Sequence, residues 1–293
     1  MLKRYLIHCK MQLISSIYNF IGVSHVDQWV KRKVLMVVKT YPTPSTKYRE
    51  TVCTAGITED GKWIRLYPIK FRDLQDDQKF KKFSWIEVDT IKARDDKRPE
   101  SYKVNSDSIK IIRHVCSQRG IEERMRMVLP LVKKSLEEIE DDEKSKGFSL
   151  GIFKPKQVND LVITETDRDW TPKQKLYLSQ MSIFDNERHK KVLEKIPWEF
   201  QFKFTCDDDR CNGHKIIITD WEIYQTYRNF KNRYKDEKIA LQYLKDKWLG
   251  MFNNPKNDAY FIVGTVHRFK TFIIIGYFIC PHTEYKQLSL FES

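Results

Sequence analysis

Val34-Leu35-Met36-Val37-Val38, Thr51-Val52-Cys53-Thr54-Ala55-Gly56-Ile57 and Trp63-Ile64-Arg65-Leu66-Tyr67 follow closely on one another and decide the fold class of the first half of the chain. Each run is apolar, β-branched or aromatic, and of strand length. Asp60-Gly61 between the second and third supplies the positive φ of a tight hairpin. Further strands are expected at 83–88 and 108–112, so residues 34–118 read as a small β-barrel or strongly bent sheet. Ahead of them, residues 1–33 carry Leu13, Ile14, Ile17, Tyr18 and Ile21 at near-helical spacing and read as a helical extension.

Downstream the texture changes. A helix is expected over 120–140, kinked or divided by Pro130, with 137–146 as a charged surface turn and 148–162 extended. The polar stretch 166–195 reads as a mobile connection, so 119–195 forms a helical and irregular link. Trp198 to Phe204 alternates aromatic with polar residues, as a half-buried strand does. One long helix is then expected over 220–252, with Thr219 as N-cap and Glu222 completing a capping box. Strands at 260–266 and 271–279 close a second lobe over 196–283, and residues 284–293 form a tail. The expected class is α+β in two lobes.

Lysine and arginine number 53 against 40 acidic residues, a net charge of +13, which favours an anionic partner, nucleic acid first among them. The six cysteines are too sparse for a secreted disulfide framework, so a reducing, cytoplasmic setting is expected. No apolar run approaches the ~18 residues of a membrane span, and no membrane partner is expected. P-loop, GxSxG, HExxH and dinucleotide fingerprints do not occur.

Three constellations carry candidate chemistry. Ser45, Lys47, Tyr48 and Arg49 sit in a proline-stiffened loop, with Arg65, Arg72 and Arg98 in similar basic and aromatic surroundings, and together they read as a phosphate-contacting surface. Cys206 and Cys211, with four residues between them, and His214, separated from Cys211 by two more, offer three corners of a tetrahedral structural zinc site, and Cys280 or His282 could complete it. His214, Asp220, Glu222 and His267 are the catalytic candidates if the chain is instead a metal-dependent nuclease or nucleic-acid-modifying enzyme. A nucleotide or small-molecule sensor is a third possibility, and binding without turnover is favoured over catalysis.

The chain ends Gln287-Leu288-Ser289-Leu290-Phe291-Glu292-Ser293. Residues 287–291 resemble the peptide by which bacterial proteins dock onto the β sliding clamp, matching the form QLSLF at every position. That resemblance implies a clamp partner, with Leu290 and Phe291 as apolar anchors supported by Leu288, and Gln287 as the orienting hydrogen-bond group. Gln180-Met181-Ser182-Ile183-Phe184 has the same shape. Residues 42–72 resemble stretches of uncharacterised bacterial proteins, which carry no function to transfer. The expectation is therefore a DNA-associated accessory protein tethered to the clamp.

Overall fold

A computed structural model describes residues 28–45, 48–179, 193–266 and 271–282. Several expectations fall outside these residues: the N-terminal extension up to residue 27, Lys47, residues 180–184, His267, and the tail residues Gln287, Leu288, Leu290 and Phe291.

The first half contains β1 (Val30–Lys39), β2 (Thr43–Ser45), β3 (Arg49–Thr58), β4 (Trp63–Ile69), β5 (Ser84–Lys92), β6 (Ser101–Val104) and β7 (Lys110–His114). Pairing runs β1-β3-β4-β6-β5, and β5 returns to β1, so five strands close a barrel. The member β6 lies between the two strands expected at 83–88 and 108–112 and is not itself among the expected strands. It pairs parallel with β4 and antiparallel with β5. Closure matters because an open sheet would leave unpaired backbone groups at its edges.

Strand β1 explains its own composition. Val34 and Met36 point into the barrel, whose interior also holds Val52, Ile64, Leu66, Phe80, Ile86 and Val88. Leu35 and Val37 point outward into a second core shared with Ile152, Tyr260, Ile262, Ile275 and Phe278 of the other lobe. A strand buried on both faces needs a continuous apolar run instead of alternation. Gly56 on β3 crosses β1 so closely that a Cβ there would lie 2.3 Å from Val34 Cγ1 and 2.6 Å from the Leu35 carbonyl oxygen. The Asp60-Gly61 hairpin forms as expected, with Gly61 at φ +74°.

The connecting helix is divided, as Pro130 requires, into α1 (Ile121–Val128) and α2 (Leu136–Lys146). The expected charged turn at 137–146 is thus a helix. Ser135 caps it by accepting from the Glu138 amide, and Gly147 in the left-handed region ends it. Between the helices lies β8 (Val132–Lys133), followed by β9 (Leu150–Phe153) and β10 (Gln157–Glu165). Strands β8 and β9 join β13 (Asn257–Thr265) and β14 (Phe272–Pro281) in a four-stranded sheet, so this part of the link belongs structurally to the second lobe. Strand β10 pairs with β11 (Trp198–Thr205), which pairs with β12 (His214–Ile217), in a three-stranded sheet. Helix α3 (Pro172–Ser179) lies within the expected mobile connection and buries Leu178.

The expected single long helix is a hairpin of α4 (Trp221–Tyr234) and α5 (Glu237–Phe252). Lys235 adopts φ +60°, ending α4, and Asp236 caps α5 through the Ile239 amide. The cap of α4 is Asp220, not Thr219, since Asp220 accepts from the Glu222 amide. The main core of this lobe packs Phe153, Phe200, Phe202, Phe204, Phe261 and Trp248 between sheets and hairpin.

Candidate functional site

Three of the basic residues expected to line a phosphate surface, Arg65, Arg72 and Arg98, have internal partners. Arg65 is 6% exposed, and its guanidinium donates to Ser149 Oγ at 2.9 Å while Ser149 in turn bonds the buried Glu100. Arg72 pairs with buried Glu50 at 2.8 Å. Arg98 pairs with Asp96 and donates to the Thr265 carbonyl at 3.0 Å, linking barrel to second lobe. The sequence pattern could not distinguish a wet cation from one consumed by internal partners. Ser45 accepts from the Tyr48 amide at 3.3 Å, folding that loop on itself.

A basic and aromatic face does exist, on the α4–α5 hairpin. The turn at Lys235 folds α5 back so that Tyr234 and Tyr243 stack, with centroids 4.4 Å apart and 10° between planes. Phe230 meets both edge-on. Lys247 lies over Phe230 at 5.6 Å and Arg233 over Tyr234 at 5.5 Å. Tyr243 is 49% exposed, and the same hairpin exposes Lys231, Arg233, Lys235, Lys238 and Lys247, against Asp236 and Asp246. Reading one continuous helix hid this face, because Tyr234 and Tyr243 then seem far apart along one axis.

The cysteine cluster is assembled from three places. Cys206 follows β11, Cys211 sits in the loop, and His214 opens β12 after Gly213, whose φ of +88° makes the turn. The fourth member is Glu137 on the first turn of α2: one ligand atom from each of Glu137, Cys206, Cys211 and His214 lies within 4.8 Å of the others. His214 Nε2 is 2.9 Å from Glu137 Oε1 and 3.4 Å from Cys211 Sγ. The Cys206 amide donates to Cys211 Sγ at 3.1 Å. Burial opposes the Glu137 charge, but hydrogen bonds from its own amide, His214, Cys211 and Ser135 outweigh it and hold the carboxyl below its usual range, whereas burial and the neighbouring Glu137 push the Cys206 thiol well up. Glu137 Oε2 is buried without a hydrogen-bond partner.

A second layer holds the ligand loop. Ser135, the cap of α2, donates to Asp208 at 2.9 Å, and Arg210 bridges Asp208 to Asp141. This cluster could hold a metal ion. Neither expected fourth ligand reaches it. Cys280 faces the core on the barrel side of the four-stranded sheet, whereas Cys206 belongs to the core on the other side. His282 Nδ1 lies 3.0 Å from Asp258. Glu137 escaped notice because its segment read as a turn, although Ser135, Glu138 and Gly147 mark both ends of a helix.

Among the described residues, the catalytic candidates His214, Asp220 and Glu222 do not converge. His214 belongs to the cluster just described, while Asp220 and Glu222 flank the start of α4 beside Lys82. Lys82 Nζ is 3.0 Å from the fully buried Asp220 Oδ2 and 3.4 Å from Glu222 Oε2, and Tyr277 donates to Glu222. Burial pushes Asp220 up to about 6, against the pull of Lys82. Burial opposes the Lys82 charge too, but Asp220 and Glu222 outweigh it and hold the ammonium above its usual value. A cavity of about 470 Å³ opens against this group. Lys39, Lys81, Lys82, His114 and Arg124 line it, with Glu222 the one acidic member of its wall among the described residues.

No helix among the described residues is long and apolar enough to cross a membrane. Residues 30–130 match a family profile described as a domain of unknown function, DUF8758. No curated protein matches the chain. Residues 132–293, more than half the chain and including all four residues of the metal cluster, match the profile described as a domain of unknown function, DUF8757, and the chain belongs to that family.

Proposed function

We propose that the chain is a DNA-associated accessory protein, held at the bacterial sliding clamp by residues 287–291, that contacts single strands on the α4–α5 hairpin. One observation carries it: a stacked Tyr234–Tyr243 pair, half open to solvent, on a hairpin that also exposes Arg233 and several lysines. Aromatic faces accept any base, and surrounding cations follow the phosphates, which is how sequence-tolerant single-strand binders work. The net charge of +13 supports the same class of partner.

Zinc is the metal best suited to the Glu137, Cys206, Cys211 and His214 set, since two thiolates and an imidazole favour a borderline-soft cation with four ligands. Four protein ligands leave no open position, so the ion is a staple between α2 and the β11–β12 hairpin. That closed set, and the separation of His214 from Asp220, favour binding over hydrolysis.

The test is fluorescence anisotropy with a labelled oligo-dT strand and a duplex of equal length, over a salt series. Tyr243→Ala should weaken single-strand binding by about 1–3 kcal/mol at unchanged melting temperature. Lys247→Ala and Arg233→Ala should each flatten the salt dependence by nearly one phosphate's slope. Tighter binding to duplex, indifferent to Tyr243→Ala, would sink the proposal.

A further inference from the structure

The cavity beside Lys82 lies apart from both the hairpin face and the metal cluster, and none of its wall is used by either. Its volume of about 470 Å³ sits within the range of small-molecule sites, roughly 300–1,000 Å³. The polar wall is divided. Lys82 is committed to Asp220 and Glu222, and Glu222 also accepts from Tyr277, so the one carboxylate of the wall among the described residues is already engaged. Lys39 and Lys81 have no carboxylate within ion-pair distance among the described residues, and Arg124, lying over the Phe83 ring, gives Nε and Nη2 to the Val115 carbonyl while Nη1 has no partner among the described residues.

Lys39 is the informative member. It is half-buried, its ammonium rests 4.2 Å from the Phe71 centroid and 4.8 Å from that of Trp221, and its hydrogen bond to the Phe80 carbonyl is long, at 3.5 Å. A cation withdrawn from water with so little return is poised for an anion supplied from outside. The rest of the lining, Phe83, Trp221, Met251 and Phe278, is apolar and partly aromatic, which suits a planar ring.

We propose that this cavity binds a nucleotide by its terminal phosphate, with Lys39, Lys81 and Arg124 around the phosphate and the aromatic wall against the base. Phosphate could equally arrive as the free ion, and the two sources differ in what the apolar wall contributes.

Calorimetric titration of the full chain with AMP, dTMP, adenosine and inorganic phosphate separates them. AMP or dTMP should bind at least about tenfold more tightly than adenosine and than phosphate. Lys39→Met keeps the aliphatic stem over Phe71 and Trp221 while removing the charge, and should weaken nucleotide binding at least about tenfold. Lys81→Ala, at an exposed position, should weaken it in the same direction without touching the fold. Phosphate binding as tightly as AMP would overturn the nucleotide assignment and leave free phosphate as the ligand. Absence of nucleotide binding, or binding indifferent to both variants, would overturn the site altogether. Neither result bears on oligonucleotide binding at Tyr243, which is read separately.

Discussion

Lys82 and Asp220 pair at 3.0 Å inside the protein although 138 residues separate them, and the pair joins the barrel's β5 approach to the first turn of α4. Because Asp220 is fully buried, its carboxylate depends on that ammonium. We predict that Lys82→Met destabilises the protein by about 3–5 kcal/mol at pH 8. A raised folded-state pKa means stability is kept while the acid is protonated and lost as pH rises through the folded value. The wild-type value is already about 6 and climbs further without Lys82, so the variant should approach wild type near pH 5. Urea denaturation at pH 5 and 8 measures the difference, and a penalty equal at both pH values would refute it.

Metal content provides the second prediction. Protein purified without chelator should carry one equivalent of zinc by elemental analysis. Cys206→Ser and Glu137→Gln should release it and lower the melting temperature by about 10 °C. Cys280→Ser and His282→Ala should retain it, because neither side chain reaches the cluster.

Acid stability should depend on Glu237, the first residue of α5. Although burial opposes its charge, hydrogen bonds from Tyr227, Trp198 and Arg168 hold its pKa at about 2. A depressed carboxylate contributes stability above its unfolded value and loses it as pH falls through the folded one. Between pH 4.5 and 2 the wild type should lose about 2 kcal/mol from this group, allowing for its partial exposure. Glu237→Gln should remove that part of the slope, as read by thermal melts across the window.

Arg65 separates an internal cation from a nucleic-acid contact. Arg65→Leu should cost about 3–5 kcal/mol by leaving Glu100 buried beside Ser149. Oligonucleotide affinity of the folded fraction should not change, whereas a tenfold loss at unchanged stability would return Arg65 to the binding surface.

Deletion of residues 287–293 should abolish binding to purified β clamp in a pull-down or surface-resonance measurement while leaving oligonucleotide binding intact. Equal clamp binding with and without the tail would remove the clamp from the proposal.

The barrel was legible because short-range chemistry specifies it. Val34–Val38, the Asp60-Gly61 turn and Trp63–Tyr67 set strand identity and one hairpin without reference to anything distant. Cys206, Cys211 and His214 were legible for the same reason, since a stretch of nine residues with one glycine turn brings them together. Closure of the barrel by β6, the fourth ligand Glu137 and the Lys82–Asp220 pair were decided only by tertiary structure. Each joins residues far apart in sequence, and packing of whole elements, not local preference, selects such pairs. The hairpin at Lys235 belongs with them: the apolar positions of α4 and α5 fit one helix, and burial of both against the same sheets folds that helix in two.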